Sequence, residues 1–265
     1  GIGNALGEAP GVTFVVTIVA FVFVCIGGVC SVVHLATPKH AWAVVTHILS
    51  FSGISVELIM LGIACALMVV FVGCDVLGLP TIVKLASGLL GALSGVCLAF
   101  ATGHGYLISS KPTWNTMKLP VAYTATSLVG GAFLYLFVAS MLGANGFVMT
   151  QISGIALLCC FFNVVALGAY IRHLGRDIAR TNKKLYERGI VACGMVATLV
   201  LMAVLYAMAM VSSAPDLAFS LVAFVGCAVA LIGGLALRML MWIVGAGFLS
   251  LFDQARDHRS AILND

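Results

Sequence analysis

Seven stretches of this sequence are long and apolar enough to cross a lipid bilayer, and nothing else constrains the fold as tightly. They cover residues 12–35, 52–74, 82–108, 120–142, 148–171, 189–212 and 217–246. A helix needs about 20 apolar residues to cross ~30 Å of hydrocarbon. In that solvent the backbone must satisfy its own hydrogen bonds, which leaves only helices and closed barrels. Barrel strands would alternate apolar and polar residues, whereas these runs are continuously apolar. The expected fold is therefore all-α, a polytopic integral membrane helical bundle with seven transmembrane helices in one domain over 1–265. Composition agrees: 62% of the residues are hydrophobic and 8% charged, and the mean hydropathy is +1.18, outside the range of a soluble domain. Membrane lipid is the first partner this implies. The net charge of +4 resides in loops and carries no nucleic-acid implication. The chain begins with Gly, so processing or an upstream start is expected. The first segment is too long, and lacks the basic flank, for a signal peptide.

The connectors alternate between short and long, which sorts them onto two faces. Asp75–Thr81, Gly143–Phe147 and Ser213–Asp216 are short; Ala36–Phe51, Ser109–Leu119 and Arg172–Arg188 are longer. The long-loop face carries Lys39, Lys111 and Lys118, then Arg172, Arg176, Arg180, Lys183, Lys184 and Arg188, and finally Arg256 and Arg259. The opposite face has only Lys84, expected to snorkel outward, and Arg238 lies inside the last segment. Eleven against one is the asymmetry of a positive-inside protein, so the basic face is expected in the cytoplasm. The connector Arg172–Arg188 has helix-compatible spacing. It reads as a topology determinant touching lipid headgroups, or as a docking surface for a protein.

Nine cysteines all fall in apolar segments, with no CxxC among them. They read as small buried residues. No metal site is expected, and in particular no iron–sulfur cluster in this chain, since a cluster needs grouped thiolates. The mid-segment pairs Gly27-Gly28, Gly130-Gly131 and Gly233-Gly234 read as sites of close helix approach.

Ionisable residues inside apolar segments are costly and become functional suspects. His34 ends the first segment at the basic face, where Pro38 stops the helix. Glu57 lies about 7–8 Å below that face in the second segment, at 1.5 Å per residue. His104 and Tyr106 sit in the last turns of the third, and Arg238 late in the seventh. The basic end can therefore form a polar pocket, while the other end offers only Lys84, Asp75 and Asp216. Oxidation of a quinol would suit such a pocket. Two hydroxyl protons must leave with the two electrons, and a neutral His and a carboxylate can accept them. Glu57 with Arg238 could equally be a structural ion pair. A haem on His34 and His104 would make the chain a b-type cytochrome subunit, although such proteins usually hold their histidines deeper. A small-solute transporter is a third reading. Transporters often break helices near mid-membrane and carry repeats, but here the prolines lie at segment ends and no repeat is visible.

HLATPKHAW at 34–42, followed by SVELIMLG at 55–62, resembles the end of one helix and the start of the next in the membrane anchor subunit of anaerobic dimethyl sulfoxide reductase, a complex iron–sulfur molybdoenzyme. KPTWNTMKLP at 111–120, leading into VGGAFLYL at 129–136, resembles that family's proline–threonine–tryptophan loop and glycine-pair helix. LRMLMWIVG at 237–245 is a looser echo of its closing arginine-containing helix. The resemblance covers most of the chain at low identity. It implies an anchor in a bacterial or archaeal cytoplasmic membrane, serving anaerobic respiration and without haem. Such an anchor binds menaquinol or a related quinol and passes electrons to an iron–sulfur electron-transfer subunit, which feeds a molybdopterin catalytic subunit. His34 matches the family's quinol-site histidine and Glu57 its implicated carboxylate. Trp114 matches the loop tryptophan, while His104 stands where an arginine is usual. The family has eight helices, so a first helix would lie outside this chain. The expected pocket comprises His34 and Glu57 as proton acceptors, with His104, Tyr106, Trp114 and Arg238 around them.

Overall fold

The computed structural model describes residues 10–33, 53–109, 111, 113–181, 183–212 and 215–263. Within them the chain is a succession of helices: α1 (Pro10–Val33), α2 (Gly53–Leu77), α3 (Thr81–His104), α4 (Lys118–Met141), α5 (Gly146–Thr181) and α6 (Lys184–Gly189). A π-helical segment (Ile190–Ala197), α7 (Thr198–Val211) and α8 (Leu217–Leu263) complete it. Seven stretches of these helices are long and apolar enough to span a membrane, with α6, the π segment and α7 forming one of them. The protein is a multi-pass helical membrane bundle.

The helices start and stop where local chemistry allows. At the face opposite the basic one, α2 ends on Gly78 with φ +63° and α4 on Gly143 with φ +68°. The Leu79 N–H returns to the Cys74 carbonyl at 3.0 Å and the Ala144 N–H to Ala139 at 3.1 Å, which closes both ends with left-handed glycine caps. Asn145 and Asp216 cap the next helices through side-chain oxygens that accept from Phe147 and Phe219 at 2.9 and 2.8 Å. Lys84 does not snorkel outward as the sequence suggested. Its side chain is 9% exposed and pairs with the Asp75 carboxylate across the α2–α3 turn. A nearby carboxylate holds the ammonium more favourably than reaching past it to water.

Two of the helices outrun the bilayer. The 36 residues of α5 span about 54 Å and the 47 of α8 about 70 Å at 1.5 Å per residue, against ~30 Å of hydrocarbon. The basic connector is thus largely helical, its first part continuing α5 and its second forming α6.

Packing divides into two apolar clusters. One lies toward the opposite face, around Phe133, Leu136, Met149, Met202, Leu205 and Phe219. The other lies toward the basic face, around Trp114, Tyr123, Tyr170, Leu174, Leu237 and Met241. Lipid is as apolar as these side chains, so contact area and close backbone approach hold the helices together. A Cβ on Gly233 would stand 2.5 Å from the Gly194 Cα, and one on Gly234 would stand 3.4 Å from the Thr126 methyl. A Cβ on Gly28 would meet Leu61 at 3.2 Å, whereas Gly27, Gly130 and Gly131 have nothing within 4 Å. Of the three glycine pairs, only Gly233-Gly234 has a neighbour at both residues, and only Gly233 marks a tight backbone crossing. Gly130-Gly131 corrects the expectation, because its Cα faces open space.

Gly233→Ala should therefore destabilise the bundle by about 1–3 kcal/mol, because backbone, not a flexible side chain, blocks the new methyl. Gly130→Ala should be neutral or stabilising by up to about 1 kcal/mol, since it only removes backbone freedom. Unfolding midpoints in mixed detergent, measured on both variants, check the contrast.

Candidate functional site

The residues at the basic end are brought together by three close contacts at glycines, two against backbone and one against an indole ring. A Cβ on Gly53, at the start of α2, would lie 2.9 Å from the Gly105 Cα, so the first turn of α2 sits against the end of α3. A Cβ on Gly103 would lie 2.5 Å from the Pro120 Cα, which seats the end of α3 on the start of α4. A Cβ on Gly245 would lie 2.5 Å from the Trp114 indole, so the loop between α3 and α4 folds flat onto α8.

These contacts place the side chains. Glu57 is half-buried and its Oε1 accepts a hydrogen bond from the Thr102 hydroxyl at 3.2 Å. That hydroxyl also reaches the Leu98 carbonyl at 3.0 Å, so its single proton is shared. Trp114 is 3% exposed, and its indole N–H donates to the Met241 carbonyl at 2.9 Å. The Tyr123 hydroxyl donates to the Met241 sulfur at 3.4 Å.

Tyr106 stands at the centre of this end of the molecule. Its ring centroid is 5.9 Å from Trp114, 6.0 Å from Tyr123 and 6.4 Å from Trp242, with both tryptophans edge-on. Trp114 and Trp242 themselves meet edge-on at 5.5 Å. Such edge contacts match the positive ring rim of one partner to the negative face of the other. Two cations flank the cluster. The Lys111 ammonium lies 3.8 Å from the Trp114 ring centre and the Arg238 guanidinium 5.5 Å from that of Tyr123.

Burial pushes the Tyr106 phenol above its ordinary pKa; the Arg238 charge pulls it down, and the Glu57 charge pushes it up. Both charges therefore act on this one phenol. Among the described residues Glu57 and Arg238 make no ion pair with each other, which corrects the structural-pair alternative. The carboxylate turns to Thr102 and the guanidinium to an aromatic face.

The structure thus gathers Glu57, Tyr106, Trp114 and Arg238 at one end. His104 lies beside them but is exposed, and its ring stacks on Phe100 of the same helix at 6.1 Å. His34 lies outside the described residues. Thr102, Lys111, Tyr123 and Trp242 belong to the group although the sequence did not single them out. Trp242 stands one helical turn beyond Arg238 and Lys111 three residues before Trp114, spacings that could have flagged them. Aromatic rings and a few polar groups share this end, the residue types that a site for an apolar ligand with polar ends requires. No group of three or more potential metal ligands occurs among the described residues.

A family model described as "DMSO reductase anchor subunit (DmsC)" matches residues 8–242. No curated protein matches the chain, and no solved structure does.

Removing either charge should shift the Tyr106 phenol in opposite senses. Arg238→Gln deletes a cation that stabilises the phenolate, so the pKa should rise further. Glu57→Gln deletes an anion that opposes it, so the pKa should fall. Alkaline absorbance titration, taken as the difference from Tyr106→Phe, reads both. Shifts of the same sign would mean that the two charges do not act on this phenol as assigned.

Proposed function

The chain belongs to the family of DMSO reductase anchor subunits, and from that premise we propose that it binds and oxidises a quinol, menaquinol or a close relative, at its basic end. As an anchor subunit it assembles with other subunits of a reductase complex in the membrane. In our reading one of these is an iron–sulfur subunit that takes the electrons and passes them to a molybdopterin catalytic subunit. The transporter alternative gives way to the family assignment.

One observation carries this reading: among the described residues a carboxylate, a phenol and a guanidinium lie together at the end of the bundle where the aromatic cluster is built. A quinol reaches such a site sideways through lipid. Oxidation releases two electrons and two protons. The electrons leave to the partner's clusters, and each proton needs an acceptor. Glu57 is one, with Thr102 orienting its Oε1. His34 is assigned as the other from its match to the family's quinol-site histidine. Arg238 stays charged and cannot take a proton; it holds a quinol oxygen. Tyr106 and Trp242 give the ring apolar edges to pack against.

The charge excess of the basic face, eleven Lys or Arg against one, supports a cytoplasmic orientation for it. Some relatives export their catalytic subunits, which would put this face outside. That orientation would carry the six clustered positive charges of the Arg172–Arg188 connector across the membrane, and this connector is within the length to which the positive-inside bias applies.

Glu57→Gln and His34→Ala should each slow quinol-dependent reduction of the partner's iron–sulfur clusters by about 100-fold or more, the scale of a lost general base. The complex should still assemble, as judged by co-purification. Cluster reduction at the parental rate in both variants would place the oxidation site elsewhere.

For orientation, a fluorescent-protein fusion after Asp265 should be bright in cells and an alkaline phosphatase fusion there silent. The reverse pattern would turn the bundle over.

A further inference from the structure

Between the two apolar clusters lies one buried polar layer, and it coincides with the π-helical segment. Asn163 on α5 and Thr198 at the start of α7 are each 1% exposed. The Asn163 side-chain N–H donates to the Gly194 carbonyl at 2.7 Å, inside the π segment. The Thr198 hydroxyl donates to the same carbonyl at 2.9 Å. The Thr126 hydroxyl on α4 reaches the Asn163 Oδ1 at 3.2 Å, sharing its proton with the Ala122 carbonyl at 2.8 Å. The Gly194 carbonyl can only accept, so the Asn163 amide must turn its nitrogen there and its oxygen to Thr126. The side chain is thereby fixed between two helices and the π turn.

The buried residues explain why a π turn is present. Ile190, Gly194, Thr198 and Met202 all point inward, at steps of four. On an α-helix each four-residue step drifts by about 40°, so this run would wind off its face. A segment with i→i+5 bonds has a wider turn and absorbs the drift. Gly194 is thus held inward, where it meets Gly233 of α8. Gly234 meets the methyl of Thr126, whose hydroxyl reaches Asn163.

The site stands one turn from this layer. Tyr123 precedes Thr126 by three residues on α4, and Arg238 follows Gly234 by four on α8. A slip of α8 by one residue would swing Arg238 by about 100° around its axis, off the Tyr123 ring, and would carry the Met241 carbonyl away from Trp114. We infer that Asn163 is a positioning residue for the quinol pocket. Its amide locks the π turn to α4 and α5, and the resulting Gly194–Gly233 crossing sets the register in which α8 presents Arg238 and Met241. The inference rests on the quinol reading given above.

The test uses the intact reductase complex in membranes. The rate of cluster reduction is measured against the concentration of a soluble naphthoquinol, giving a half-saturation and a maximal rate. Asn163→Leu, nearly isosteric and unable to hydrogen-bond, should raise the half-saturation about tenfold while the maximal rate changes less than about twofold, the signature of lost ground-state binding. Combined with Arg238→Gln it should add little, because both act through one contact. If Asn163→Leu does not assemble, Thr126→Val carries the test, with an expected rise of about threefold. A half-saturation unchanged in the assembled Asn163→Leu complex, or in Thr126→Val where that complex fails to assemble, but raised by Arg238→Gln, overturns the inference and leaves the quinol site standing. No change in the assembled Asn163 or Thr126 variant and none with Arg238→Gln overturns both. A fall in maximal rate alone would assign Asn163 to general stability and overturn the positioning role.

Discussion

A hydrocarbon solvent offers no hydrogen bonds and no hydrophobic push between helices, and the architecture follows from that double deficit. The first half of it makes every spanning element a helix. The second half means that helices associate only where surfaces fit. Helix α8 shows how the fit is made. Its glycines receive Phe133 at Gly226, the π segment at Gly233, Thr126 at Gly234 and Trp114 at Gly245. One helix thus fixes α4, the π segment and the tryptophan loop against a common axis. The polar layer around Asn163 adds direction to this fit. A buried amide in such surroundings is costly unless paired, and here its pairing is available in one register.

The two ends of the bundle use polar side chains differently. At the opposite face they close the structure. Asp216 and Asn145 cap helix starts, Gly78 and Gly143 cap helix ends, and Asp75 neutralises Lys84. At the basic face the backbone turns are closed by backbone hydrogen bonds within the loop, such as Trp114 to Lys111 and Thr116 to Trp114. One side chain joins them, the Thr116 hydroxyl accepting from the Lys118 N–H at 3.4 Å. Glu57 holds one shared hydroxyl, and Arg238 and Lys111 rest on aromatic faces.

How much of this was legible in the sequence follows from what sequence patterns measure. Segment positions were legible, because length and apolarity report directly on the cost of transfer into lipid. The turns at Gly78 and Gly143 and the caps at Asn145 and Asp216 fell in the short connectors that the chain's glycines and polar residues marked. Of the site, Glu57, Tyr106, Trp114 and Arg238 were selected by depth and by resemblance, and they lie at the same end of the bundle. Packing was much less legible. Gly130-Gly131 and Gly233-Gly234 look alike as sequence, yet only the second meets another backbone, and only the structure tells which face of a helix is turned inward. The π turn leaves no composition signal, only a four-residue spacing whose meaning depends on knowing which residues are buried. Tyr123 and Trp242 read as ordinary aromatic residues until their helices are set side by side. His34 falls outside the described residues, so its place rests on the motif alone.

The separation of Glu57 from Arg238 bears most directly on chemistry. A carboxylate paired with arginine is held ionised, and its affinity for a proton drops. In a low-dielectric site such a pair would also be hard to open, since parting it strands two charges. Quinol oxidation needs the contrary, an acceptor that gains a proton as the electrons depart, and a fixed cation that stays in place throughout. Tyr106 provides the spacing. Both charges act on its phenol, while Gly53 against Gly105 seats α2 on the end of α3 and Trp114 against Gly245 seats the tryptophan loop on α8. The guanidinium finds its local partner in the Tyr123 ring, which accepts a cation without offering a negative group to lock it. In the proposed site the carboxylate and the permanent positive charge thus act on one phenol without forming an ion pair with each other.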